Sequence, residues 1–463
     1  MYIRIAKMSV MSKIATVVKA LLGPELTKKI RPLGHGLKAL TSSWLFKRPA
    51  RKLKIIGINA TKGKTTTTIL TGRLLNRLGI KTGYLSTAVI NLSGRKNGEI
   101  LNKHKNTTID GFIMQKYLRE MVENGCTHVV IEMSSQGLEA HRHWGLGGFD
   151  VAVFMNMFPE HIEAHGGLDK YIEAKSLLFK SIKKNGVAIL SGDSHFSEIS
   201  EVMWQAIPDF KKPTITRIDI TPEEDFTVTS KKNSLFKNIV IQQKTYPTRS
   251  TASFEIHNLF YALTVTRIFV DEIEQRDLKT IFAEITETIP GRMEFVELPP
   301  KIKYDVIVDY AHEPGSMEQL FLNINEWKEK GFYTKIIHVI SSDGVGRDDW
   351  KKPKLGDLSY AGADFSIVTT DNYETGDDPN AIVEMISQNF PANQRNKKYV
   401  KIIVRKDAMQ FAIQKANQWL EKDSKQKILI ISTGVGTEQY LTQPDGRLKW
   451  DERQMWKKLI NVK

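Results

Sequence analysis

Gly57-Ile58-Asn59-Ala60-Thr61-Lys62-Gly63-Lys64-Thr65-Thr66-Thr67-Thr68 decides the reading of this chain. The apolar run Lys54–Ile58 ahead of it reads as a buried strand, and residues 67–78 after it read as a helix. A strand, a turn carrying Gly-Lys-Thr and a helix form a phosphate cradle. Backbone N–H groups and the helix N-terminus hold phosphate oxygens, the lysine neutralises terminal phosphate charge, and the threonine hydroxyl reaches Mg²⁺. Gly63, Lys64, Thr65 and Thr66 are therefore the candidate nucleotide-binding residues, with Lys64 also catalytic and Thr65 also a metal ligand. The common spacing G-x-x-x-x-G-K-S/T is not met, because position 58 is isoleucine and the first glycine, Gly57, stands one place early.

Working outward, apolar strand candidates recur at 127–131, 151–154 and 187–190, with helical stretches at 111–124 and 170–183 between them. That alternation predicts an α/β fold with a parallel sheet wrapped by helices. Residues 214–250 carry short β-rich runs and suggest an antiparallel insert. A second alternating series follows, with strands expected at 305–308, 335–340, 365–369, 401–404 and 427–431. The organisation expected is a basic helical segment over 1–50, a central P-loop-type domain over 51–297, and a smaller Rossmann-like α/β domain over 298–463.

Val129-Val130-Ile131-Glu132 reads as a buried strand ending in a carboxylate, which places Glu132 to ligate Mg²⁺ opposite the phosphate loop. Taken singly, Glu132, His161 and Lys175 are more often a strand-end acid, a loop histidine and a surface lysine than functional groups.

The 463 residues are 41% hydrophobic, enough for real cores, and the lone Cys126 rules out an internal disulfide or a cysteine zinc site. A reducing, cytoplasmic setting follows. The net charge of +15 suits polyanionic partners such as nucleotides, phosphorylated precursors or anionic lipid. No aromatic-interleaved basic motif appears, so nucleic-acid binding is not expected. No apolar run is long enough to span a bilayer. The stretch Ile14–Leu22 carries Lys19 and lacks a small-residue cleavage site. It reads as an amphipathic basic helix, packed on the body or resting on an anionic membrane face.

The phosphate loop resembles that of the Mur ligases, whose first glycine also stands one place early; Ala60 replaces a glycine and Lys62 an asparagine. Further segments resemble the family in its own order. Glu132-Met133-Ser134-Ser135-Gln136-Gly137-Leu138 is similar to the segment of the subgroup that adds the third peptide residue, with Gln136 in place of histidine. Asn156 to Gly166 resembles N-x-x-x-D-H-L-D-x-H, with Glu160 and Glu163 for the aspartates. Tyr171-Ile172-Glu173-Ala174-Lys175 resembles Y-x-x-A-K, and Ile289 to Glu294 and Val308 to Pro314 resemble V-P-G-R-M-E and D-Y-A-H-x-P.

The resemblance implies an ATP- and magnesium-dependent ligase that joins an amino acid to a peptidoglycan precursor peptide through an acyl phosphate. It implies Glu132, His161 and a carbamylated Lys175 at two Mg²⁺ sites, and Asn258, Arg292, Asp309 and Tyr310 at the nucleotide. It implies Thr107, Thr108, Ser134 and Ser135 at the precursor, and Arg347, Asp371, Asn372, Glu374, Gly434 and Glu438 at the amino-acid end. Glu374 stands where the diaminopimelate-using subgroup carries arginine, so a side chain ending in an amine, lysine or ornithine, is favoured. About fifty residues precede the loop, fewer than a full uridine-binding domain needs, so a lipid-linked acceptor is an alternative. A folate-type polyglutamate ligase and a non-catalytic nucleotide-binding scaffold are the others. A monomer is expected.

Overall fold

The computed structural model describes residues 30–104, 106–158, 165–221, 224–231, 233–346 and 348–461. The sequence reading of Ile14–Leu22, of His161 with Glu160 and Glu163, and of Arg347 falls outside the described residues.

Two sheets organise the chain. The larger has eight strands in the spatial order Glu99–Leu101, Val89–Asn91, Thr82–Leu85, His128–Glu132, Lys54–Asn59, Phe149–Phe154, Ile182–Ser191 and Thr216–Ile220. Val89–Asn91 runs antiparallel to both its neighbours, and the six strands from Thr82–Leu85 onward pair in parallel. The chain leaves Lys54–Asn59 on one side and returns to it on both, so a crevice opens at the carboxyl ends of the central strands, where ligands bind in such sheets. Ile58 pairs with Glu132 and Asn59 with Phe154, which brings the functional strand ends level with the phosphate loop.

The insert is smaller than the sequence suggested. Thr227–Ser230, Lys237–Ile241 and Lys244–Pro247 form an antiparallel three-stranded sheet, but Thr216–Ile220 joins the edge of the main sheet in parallel. Its alternating Arg217 and Asp219 lie on an exposed edge strand, which hid its membership from a hydrophobicity pattern.

The second sheet has six strands: Glu294–Phe295, Tyr304–Val308, Ile428–Ser432, Lys335–Ile340, Phe365–Val368 and Tyr399–Lys401. Five run parallel and the first is antiparallel. Strands such as Ile428–Ser432 are buried along their length, as sheets covered on both faces require. The strand expected at 401–404 sits two residues earlier, at Tyr399–Lys401. No helix among the described residues is long and apolar enough to cross a membrane.

Candidate active site

The phosphate loop leaves Lys54–Asn59 and enters the helix Lys64–Arg77 at Gly63, whose φ of 85° suits glycine. A Cβ there would also come within 2.2 Å of Asn258 Oδ1, so the glycine lets Asn258 pack directly on the loop. Ala60 and Lys62 do not adopt positive φ, and alanine therefore replaces glycine without backbone strain. The Lys64 ammonium donates to the carbonyls of Ala60 (2.9 Å) and Thr61 (2.8 Å), at the centre of the loop.

Asn156, which carried no role in the sequence reading, fastens this loop. Its Oδ1 accepts from the Thr61 N–H (3.1 Å) and the Lys62 N–H (2.9 Å), and its Nδ2 donates to the Lys62 carbonyl (3.0 Å). The Thr61 hydroxyl lies 3.0 Å from the Tyr171 hydroxyl.

Glu132 is buried beside the helix start. Its Oε1 accepts from the Thr65 hydroxyl (3.0 Å), and its Oε2 from the N–H (2.6 Å) and hydroxyl (3.0 Å) of Thr87. Thr65 and Glu132 thus supply adjacent hard oxygen donors of the kind Mg²⁺ takes, and the residues present fit one magnesium ion. Lys175 is buried on the helix Leu168–Lys180, donates to Asn59 Oδ1 (3.1 Å) and lines the same cleft. His165 lies 3.0 Å from the Ser135 hydroxyl through Nε2 and 3.1 Å from Glu139 through Nδ1.

The second domain closes the cleft from the other side. Arg292 donates to the Thr65 hydroxyl (3.3 Å), and its guanidinium lies 4.6 Å from the Tyr310 ring centre. Asp309 accepts from the Met293 and Ala311 N–H groups, each at 2.7 Å, which fixes the interdomain turn to its strand. Burial raises the Asp309 carboxyl above the usual range, against those two N–H donors and Arg292. Tyr310 donates to Glu438 (3.4 Å), and Asn372 Nδ2 donates to the same carboxylate (2.8 Å).

Asp371 is buried at the far end. Its oxygens accept from the Ser341 hydroxyl (2.7 Å) and the Asn372 N–H. Burial, and next the nearby charge of Asp343, pushes its pKa up to about 6. Gly434 has a φ of 99°, and a Cβ on it would crowd Ser341 and Asp371. Lys351 is buried in a 2.6 Å pair with Glu313. Burial alone would lower its ammonium pKa, but the Glu313 carboxylate outweighs burial and raises it.

These groups line a single cleft of about 680 Å³ between the sheets. Gly63, Lys64, Thr65, Thr66, Thr107, Glu132, Ser134, Ser135, Lys175, Asn258, Arg292, Asp309, Tyr310, Asp371, Gly434 and Glu438 all border it. Three sequence candidates do not. Thr108 is buried, and its hydroxyl lies 3.1 Å from Ser134 Oγ and accepts from the Ser134 N–H. Asn372 stands behind Glu438, and Glu374 is exposed on its loop, with its N–H donating to Asp377. Asp343, unassigned by the sequence reading, does border the cleft. It follows Ser341-Ser342 at a strand's carboxyl end, a position that marks binding residues in parallel sheets.

Residues 58–266 match the Mur ligase middle domain, and residues 291–429 match the Mur ligase glutamate ligase domain. The chain belongs to the Mur ligase family. It is 28% identical over 427 residues to the UDP-N-acetylmuramoyl-L-alanyl-D-glutamate--2,6-diaminopimelate ligase of Clostridium botulinum, covering 91% of this chain and 81% of that protein. The Listeria monocytogenes protein of that name is 29% identical, over 90% and 80%. A solved structure of such a ligase aligns with a TM-score of 0.55 at 24% identity, covering 92% of this chain and 83% of that one. Mycobacterium tuberculosis folylpolyglutamate synthase, complexed with ADP and AMPPCP, aligns at 0.64 with 15% identity, covering 86% and 92%. Members of the family are ATP- and magnesium-dependent amide ligases, and this chain is such an enzyme.

Proposed function

We propose that the enzyme adds an amino acid to the peptide of a cytoplasmic peptidoglycan precursor resembling UDP-N-acetylmuramoyl-dipeptide, and acts as a monomer. The observation that carries this is the two-sided cleft, with the phosphate loop and Glu132 on one wall and Asp343, Asp371 and Glu438 on the other. The relatives named for that reaction support it across nine-tenths of the chain.

In this reading Lys64 and the loop N–H groups hold the ATP phosphates, Asn258 packs against the loop beside the base, and Arg292 neutralises charge from across the cleft. An oxygen of the precursor carboxylate attacks the γ-phosphorus. The bond to the β-phosphate oxygen breaks, and ADP leaves an acyl phosphate. The amine then attacks the acyl carbon, the carbon–oxygen bond to phosphate breaks, and the amine proton passes to solvent. Bound magnesium supplies charge neutralisation at the phosphoryl oxygens. Thr65 and Glu132 would hold one ion, and His161 with Lys175 would carry a second. For that role the neutral Lys175 amine adds CO₂, releasing a proton, and becomes an anionic carbamate. Thr107, Ser134 and Ser135 bind the precursor, and closure of the two walls keeps water from the acyl phosphate.

The three acids favour an amino acid whose side chain ends in an amine. A second carboxylate on the incoming residue would meet like charge in a partly dry site. The same argument disfavours glutamate addition, despite the fold shared with a folylpolyglutamate synthase. The basic N-terminal region is assigned a peripheral membrane contact.

Phosphate release with ATP, Mg²⁺, the dipeptide precursor and a panel of amino acids tests the proposal. Release with lysine or ornithine is the expected result. ATP binding without release for any pair would overturn it.

A further inference from the structure

The helix at residues 30–45 is built inside out. Its packed face carries small side chains: Gly36 meets Trp144 and His141, Ala39 meets Gly111, and Ser42 and Ser43 are buried. Its large apolar side chains point away from the body. Ile30, Leu33, Leu37, Leu40 and Trp44 are 41%, 49%, 58%, 37% and 67% exposed, and their spacing of three and four lines them up in one stripe. A helix that only covers a core shows the reverse arrangement, apolar in and polar out.

Charge decides what the stripe fits. No aspartate or glutamate occurs between Leu26 and Gly98, while Arg31, Lys38, Lys47, Arg48 and Arg51 flank the stripe. The Arg48 guanidinium lies 3.1 Å from the Trp44 ring centre, joining the cationic and apolar parts at one end. An apolar stripe with an aromatic end, basic flanks and no acid in the helix itself suits an anionic bilayer surface, with Lys38 alone of these cations ion-paired among the described residues, to Asp110. Pairing with a second copy would set these cations against one another.

The helix also has a fixed place relative to the cleft. Lys38 pairs with Asp110 at 2.9 Å, and Ala39 packs on Gly111, three residues beyond Thr108. Arg142, beside the helix contact at His141, donates to the Thr108 carbonyl. We propose that residues 30–45 lie on an anionic membrane face and turn the Thr107–Ser134 wall of the cleft towards it. The orientation rests on the reading of that wall as the acceptor side.

Co-sedimentation of the full chain with phosphatidylcholine vesicles, with and without phosphatidylglycerol, tests the anchor. Binding is expected only to the anionic vesicles and should weaken in high salt. Leu37→Glu with Trp44→Glu should lower partitioning at least ~10-fold, with melting temperature and ATP affinity unchanged; Leu37→Gln with Trp44→Gln should act in the same direction. Absence of wild-type binding, or equal binding by these variants, overturns the proposal. So does a dimer in sedimentation velocity that the same substitutions dissolve, which would assign the stripe to a second copy. Binding lost only on deleting residues 1–29 would move the anchor out of this helix and overturn it as well. Vesicle binding and ligation are separate readouts, so failure of the ligation assay with binding intact would remove the proposed reaction alone.

Discussion

Asn156→Ala should weaken nucleotide binding without unfolding the enzyme. The side chain makes three hydrogen bonds to the phosphate loop: two accepted from the Thr61 and Lys62 N–H groups and one donated to the Lys62 carbonyl. Alanine keeps the Asn156 main-chain carbonyl, which also accepts from the Thr61 N–H at 3.1 Å, so one of the three is replaced in part. About two net bonds are lost, worth about 2 kcal/mol at roughly 1 kcal/mol each. Spent on ordering the loop, that is about a 30-fold rise in Kd. Isothermal titration with ATP and with ADP is the assay. The two nucleotides should weaken alike, because the tether shapes the whole loop and does not contact the γ-phosphate alone. A Kd within about threefold of wild type would refute the reasoning. So would a loss confined to ATP.

Lys64→Ala should abolish ligation and leave the melting temperature nearly unchanged, since among the described residues its ammonium bonds to the Ala60 and Thr61 carbonyls of its own loop. Lys175→Ala should be nearly inactive and regain part of its turnover with a short carboxylic acid in the buffer; unchanged turnover would show that no carbamate is needed. Asp371, pushed up to about 6, lends stability that is full below the ordinary aspartate pKa of about 4 and is lost as pH rises through 6. Asp371→Asn should flatten stability against pH over that window in thermal melts, and in the wild type KM for an amine-ended amino acid should rise below pH 6 as the carboxyl takes up its proton. Asp343→Asn should raise that KM more than Glu374→Gln, because Asp343 borders the cleft and Glu374 is exposed; the opposite order would return specificity to Glu374.

The nucleotide half of the site was legible because its chemistry is local. Gly63, Lys64, Thr65 and Thr66 act through one turn, and Glu132 ends a strand whose apolar run marks it. The two sheets followed from alternating strand and helix patterns. What escaped were relations between distant segments. Asn156 reaches a loop about ninety-five positions away, a distance that no periodicity reports. Strands Val89–Asn91 and Glu99–Leu101 are three residues each, too short to show a period of two. Glu374 was chosen by its place in a motif, but whether a loop side chain enters a cleft depends on the loop's path, here turned by the Glu374–Asp377 hydrogen bond. Thr108 was read as a donor to ligand, yet burial commits its hydroxyl to Ser134.

The distribution of charge in the cleft explains why two sheets are needed. Lys64 sits in the phosphate loop, Arg292 donates to the Thr65 hydroxyl and Glu132 accepts from it, the side on which the proposed reaction holds phosphate and metal. Asp343, Asp371 and Glu438 border the cleft on the other sheet. Placed on one short surface, these cations and acids would pair with each other and lose their pull on ligand. Instead two of the acids have their own local partners: Ser341 and the Asn372 N–H for Asp371, Tyr310 and Asn372 for Glu438. Arg292 and Tyr310 stand between the two sets, stacked at 4.6 Å, so the phosphate end and the amine end are separated by a cation on an aromatic face. In the proposed reaction a carboxylate activated at the first end would meet an amine arriving from the second, and the electrostatic field that orients one ligand opposes its entry into the other's place.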